Sequence, residues 1–181
     1  MPKQTTAQTT ISYRHAAGKN GTSKVSLQPA IYEALVERHG DSDAQAREYI
    51  KELALQGRKL KVKDLSLYVQ SIALISLMPV DIQGKVKLNL SEANRIPLRY
   101  KNTVEMKMTK LTTFKVLHDI LNVVYSGSSE DIHTKFANEA HKAKKATEAK
   151  LGELNAQARK TCDISHQVRE RIISNLIASF G

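Results

Sequence analysis

The sequence predicts a mainly α-helical protein with a short N-terminal β-strand, then a helical C-terminal region with a candidate small β-hairpin. Three observations carry this. Hydrophobic residues make up 41% of the 181 residues but aromatics only 5%, with no Trp. The core must therefore come from Leu, Ile, Val and Ala, a mix that favours helices. Apolar residues recur at i, i+3, i+4 in successive segments, the mark of one helical face. One short segment, 23–28, instead alternates apolar and polar, as a half-buried strand does.

Each element follows in order. Residues 1–22 are rich in Thr, Gln, Gly and Lys and read as a flexible basic arm, too poor in apolar surface to offset its ordering entropy. In Ser23 to Gln28, Val25 and Leu27 alternate with Lys24, Ser26 and Gln28. Pro29 suits a first helical turn, where its missing N–H costs nothing. Ile31, Ala34 and Leu35 then share a face, and Gly40 is a helix stop. Asp41-Ser42-Asp43 supplies N-cap chemistry for a second helix, Asp43 to Gln56, striped by Ala46, Tyr49, Ile50, Leu53 and Ala54 and ended by Gly57. Residues 58–63 alternate basic and apolar, as a strand or a linker. Asp64 caps a buried helix, Leu65 to Met78, that Pro79 terminates. Lys85–Leu90 and Val104–Met108 alternate as two short strands. Leu111 to Tyr125 reads as a helix, with Phe114, Leu117, Ile120, Leu121 and Val124 on one side. From Glu130 to Phe180 the pattern is a long helix or a helical hairpin bent near 160–165. Its stripes are Ile132, Phe136, Ala140, Ala143, Leu151 and Leu154, then Val168, Ile172, Leu176 and Phe180. Irregular heptads leave open a coiled-coil surface or intramolecular packing. The expected organisation is an arm at 1–22, a compact unit at 23–63, a mixed helical region at 64–125 with the hairpin within 85–108, and an oligomerising segment at 126–181.

Net charge is +10, from 28 Lys+Arg against 18 Asp+Glu. A surplus of this size points to a polyanionic partner. It is concentrated in 1–63, and 111–181 is nearly balanced. Cys162 is the single cysteine, so an internal disulfide is excluded and a reducing, cytoplasmic compartment is expected. No apolar leader is visible in Met1 to Lys24. The apolar run 72–80 is too short to span a bilayer, so no membrane association is expected.

The segment Lys24-Val25-Ser26-Leu27-Gln28, Pro29 opening a helix, the Gly40-Asp41-Ser42 turn and Arg47–Leu53 in a second helix resemble the ribbon-helix-helix family, of the Arc and methionine repressor type. The likeness covers about 35 residues. It implies a dimer in which two chains pair their strands into a ribbon lying in the major groove. Lys24, Ser26 and Gln28 would then face base edges. Lys19, Ser42, Arg58, Lys59, Lys61 and Lys63 would hold phosphates. Val25, Leu27, Ile31, Leu35, Tyr49, Ile50 and Leu53 would form the dimer core. Leu65–Gln70 also resembles the family's second helix; on that register 43–57 is an insertion. Larger members serve gene repression, plasmid partition or conjugative transfer. The resemblance implies a transcription regulator, partition factor or relaxosome accessory protein, with double-stranded DNA and further copies of itself as partners, and a second protein at the C-terminal helices as another candidate.

Enzymatic chemistry finds little support. No Walker-type loop, G-x-G-x-x-G or G-x-S-x-G is present. Cys162 and His166 lie at i, i+4, but two ligands do not make a zinc site, so no metal or other cofactor is expected. Lys142, Lys144 and Lys145 form a small basic run that a solvated face also explains. Tyr13 is the one aromatic considered for base stacking, with a core or idle role the stronger reading. Two further readings stay open. One is an RNA- or single-strand-binding protein, which the scarcity of aromatics disfavours. The other is a helical structural or adaptor protein that binds no nucleic acid.

Overall fold

The computed structural model describes residues 9–14, 22–86, 95–101, 108–126, 132–151 and 164–181. The alternation at 23–28 does form a strand, and its mate lies in the segment expected to be an arm. β1 (Thr9–Arg14) pairs antiparallel with β2 (Thr22–Leu27), setting Ile11 opposite Val25 and Thr10 opposite Ser26. Ile11, Val25 and Leu27 are buried. Ile11 is thus the apolar anchor that orders 9–14.

α1 (Pro29–Arg38) opens on proline as expected. It ends with Gly40 at φ +67°, where the Asp41 N–H returns to the Val36 carbonyl at 2.9 Å. That is the reversal for which glycine is favoured. α2 (Asp43–Lys59) is capped by Ser42, whose Oγ accepts from the Gln45 N–H at 3.3 Å. The helix runs through Gly57 rather than stopping there. Gly57 is buried, and a Cβ on it would sit 2.7 Å from both Leu65 Cδ1 and Tyr68 Cδ1. Its role is close approach of α2 to α3 (Leu65–Leu77). Asp64 caps α3 by accepting from the Leu67 N–H at 2.9 Å. α4 (Val80–Lys85) follows Pro79.

The second hairpin exists, but displaced from 85–108. β3 (Arg95–Lys101) pairs antiparallel with β4 (Met108–Phe114). Lys85 ends α4 instead of opening a strand; residues 87–94 and 102–107 lie outside the described residues. Leu111-Thr112-Thr113-Phe114 is strand, not the start of a helix. β-Branched and aromatic residues suit a pleated surface, and the helical spacing of Phe114 with Leu117 concealed that. α5 (Lys115–Val124) follows directly. α6 (Ile132–Leu151) packs along α7 (Ile164–Ala178) as a helical hairpin; residues 152–163 lie outside the described residues. Val168, Ile172 and Leu176 of the expected oligomerisation seam are buried within the chain, where α7 meets α1, β4 and α6. Buried residues from Ile11 to Leu176 form one continuous cluster, so the four expected regions share a core.

The element order repeats. Among the described residues, a hairpin and three helices (β1, β2, α1, α2, α3) are joined by α4 to a second hairpin and three helices (β3, β4, α5, α6, α7). Ser26 precedes Pro29 by as many positions as Thr112 precedes Lys115, and α1 and α5 both have 10 residues. In that alignment Ala30, Ile31, Ala34 and Leu35 match Val116, Leu117, Ile120 and Leu121, all buried. α3 lies along β2 and α7 along β4, while α1 packs on α7 and α3 on α5. Each half completes the core of the other.

Candidate nucleic-acid interface

The expected base-contacting residues separate. Lys24 is exposed on β2 and Ser26 is half-buried beside it. Thr10, opposite Ser26, is exposed as well. Sequence reading missed Thr10 because it assigned that segment to the arm. Gln28 is turned inward, with 1% exposure. It is the residue from which the chain leaves β2 and enters α1, with φ −65° and ψ 135°, so strand alternation no longer decides where it points. Its amide donates to Glu170 Oε2 at 3.0 Å and accepts from Arg169 Nε at 3.3 Å. Gln28 is therefore a buried polar tie to α7, not a reader of bases.

The strand β2 is not placed to form a two-chain ribbon. The Ser26 N–H donates to Ser66 Oγ at 3.1 Å, and the Ser26 carbonyl accepts from Gln70 Nε2 at 3.1 Å. With β1 on one edge and α3 on the other, β2 has no room at Ser26 for a strand from another chain. The residues expected in a dimer core are covered by their own chain. Val25, Leu27, Ile31, Leu35, Ile50 and Leu53 are buried, and half-buried Tyr49 lies against His39 with ring centroids 5.5 Å apart.

The expected phosphate-binding residues gather better. Arg58, Lys59, Lys61 and Lys63 are all exposed, around a turn whose tip, Leu60, is exposed too. Arg58 and Lys59 form the last turn of α2, where cations also complement the helix dipole. Lys61 then takes φ +55°. Its N–H bonds the Arg58 carbonyl at 3.0 Å, and the Val62 N–H bonds the Gly57 carbonyl at 3.1 Å. This repeats the termination of α1, with lysine where glycine is normally favoured. Lys59, Lys61, Lys63 and Lys24 make no ion pair with any described residue. The Ser26–Ser66 bond ties β2, which carries Lys24, to the first turn of α3, which Lys63 precedes.

Ser42 does not belong to this group. Its hydroxyl is spent on capping, and exposed Asp41 and Asp43 flank it. Hydrogen bonds from Arg47 at 2.6 Å and from the Tyr32 hydroxyl hold the Asp43 carboxyl below its ordinary range. Two carboxylates there repel a phosphate. Lys19 and Cys162 lie outside the described residues.

Sequence reading also missed the polar seam at α7. Glu170 Oε1 accepts from the Ala30 N–H at 2.7 Å, a carboxylate at the start of α1. Burial pushes its pKa up to about 7, against the lowering effect of that N–H and helped by the charge of Glu33. His166 and Arg169, one turn and one residue away, are both buried. A buried charge needs partners to be tolerated, and the Thr112 carbonyl and Gln28 supply them for Arg169. This seam joins the two halves: Glu170 bonds the start of α1, and Arg169 bonds β4.

Among the described residues no group of three His, Cys, Asp or Glu side chains could hold a metal, and no helix is long and apolar enough to cross a membrane. The chain matches no protein-family model, and comparison with curated proteins and with solved structures gave no match.

Proposed function

We propose that this chain binds double-stranded DNA through the basic turn 58–63 and the adjoining outward face of the β1–β2 hairpin. The observation that carries the reading is Lys61. A non-glycine residue held at positive φ is strained, and here the strain presents a lysine among three further exposed cations. Lys24 and Thr10 extend the surface along the hairpin. A two-stranded ribbon fits the major groove by width, and this one comes from a single chain. Lysines at the turn would engage phosphates, which position the protein, and Lys24 with Thr10 would approach base edges. The net charge of +10 supplies the long-range attraction.

Fluorescence anisotropy with a labelled duplex tests this across a salt series. Affinity should fall steeply with salt, and Lys59→Ala with Lys63→Ala should lower the slope of log K against log salt by about 1 per lysine. Unlabelled single strands should compete more weakly than duplex. A variant slope equal to that of the parent chain refutes the surface assignment, and stronger competition by single strands refutes the duplex.

A further inference from the structure

We infer that the β3–β4 hairpin is a second duplex-binding ribbon, so that one chain grips DNA at two related places. This rests on the DNA-binding reading above and extends it to a surface that reading does not use.

The internal repeat provides the first argument. Ser23-Lys24-Val25-Ser26 in β2 and Thr109-Lys110-Leu111-Thr112 in β4 occupy equivalent positions before α1 and α5. Each ends in a small hydroxyl residue whose two backbone groups are held by one helix. Ser66 and Gln70 hold Ser26. Ser165 Oγ accepts from the Thr112 N–H at 3.3 Å, and Arg169 donates to the Thr112 carbonyl. In both cases the two holding residues are four apart on the third described helix of that half. Lys110 therefore stands in β4 where exposed Lys24 stands in β2.

Charge provides the second argument. Neither Arg95–Lys101 nor Met108–Phe114 contains an acidic residue. Arg95, Arg99 and Lys101 alternate along β3 and so share one face of the strand. The register sets Arg99 directly opposite Lys110. A polyanion laid along that face would meet cations and no acidic residue of either strand. The third argument is placement. Arg169 binds the Thr112 carbonyl of β4 and the Gln28 side chain just beyond β2. One side chain thus ties the base of one ribbon to the base of the other. The two ribbons differ in sequence, so the DNA they grip need not be palindromic.

The test uses the full chain, a duplex of about 30 base pairs and three proteins: the parent, Arg99→Ala/Lys110→Ala, and Lys59→Ala/Lys63→Ala. Each double variant should lower the salt slope by about 2, roughly 0.9 for each phosphate no longer neutralised. The unbound hairpin variant should melt no lower than the parent. Parent binding with a hairpin variant of unchanged slope overturns the second ribbon and leaves the first surface standing. A parent that does not bind duplex overturns both. If the double variant melts lower than the parent, Lys110→Gln alone replaces it, with an expected slope decrease of about 1; an unchanged slope there also overturns the proposal.

Discussion

The two halves of this chain share an architecture and differ in what holds it. In the first, α2 meets α3 at Gly57, where packing is so close that a methyl group would collide with Leu65 and Tyr68. In the second, α6 is held to α7 by charge. Glu139 is buried, accepts from Arg171 at 3.1 Å and also takes Lys142 at 2.9 Å. The strand clamps differ in the same sense. Gln70 is neutral, and its Oε1 is buried without a hydrogen-bond partner. Arg169 is a buried cation that serves Thr112 and Gln28 together. One topology can thus be secured by shape or by buried charge, and the choice sets what disturbs each half.

The largest expected effect breaks the charged clamp. Arg169→Leu leaves the Thr112 carbonyl without this donor, at roughly 1–3 kcal/mol for a buried acceptor stranded, and takes one of two donors from Gln28. Gln70→Leu should cost only about 1 kcal/mol, because it also removes an unpaired buried oxygen. Urea denaturation of both variants measures the difference, and equal losses would dissolve the contrast between the halves.

Next in size is Gly57→Ala. On an open helix that change stabilises by about 1 kcal/mol. Here overpacking should reverse the sign and destabilise by roughly 1–3 kcal/mol. A raised melting temperature would show that α2 and α3 have slack between them.

Acid-base behaviour separates the halves more gently. Burial pushes the Glu139 carboxyl up, but hydrogen bonds and charge from Lys142 and Arg171 outweigh it and hold the group below its ordinary value. Its contribution is present above pH 4.5 and lost as pH falls through the lowered pKa. Glu170 has the opposite sign. Its pKa of about 7 in the folded chain means the native state binds more protons than the unfolded one between pH 4.5 and 7. Stability from this group therefore declines as pH rises across that window and levels off above it. Melting temperatures from about pH 4 to 8 should show the decline in the parent and not in Glu170→Gln.

The smallest effect lies on the basic turn. Lys61→Gly relieves the positive φ and should stabilise by about 1 kcal/mol; on the duplex-binding proposal it should also lower the salt slope by about 1. A drop in stability instead would mean that Lys61 is packed rather than strained.

The sequence was legible wherever one local rule governed. Pro29, Gly40, Ser42, Asp64 and Pro79 punctuate helices as their chemistry dictates, and the i, i+3, i+4 stripes name the buried faces of α1, α2 and α5. Legibility failed where a side chain answered to a distant partner. Gln28 looked outward by alternation and is drawn inward by Glu170 and Arg169. Gly57 looked like a stop and instead lets two helices touch. Ile11 sat in a polar segment, and its value shows only against Val25. Of the candidate interface, the run at 58–63 was visible as charge, whereas Lys110 was concealed because the repeat survives in sequence as little more than Ser-Lys-Val-Ser and Thr-Lys-Leu-Thr.

By itself, then, the sequence determined the helical elements, their caps and the basic surplus, since propensity, capping and net charge act over a few residues or over the whole chain. Tertiary structure alone decided which strand meets which, that the apolar faces close within one chain, and that the chain repeats. Those outcomes depend on which distant surfaces exclude water together, and no local window contains both members of such a pair.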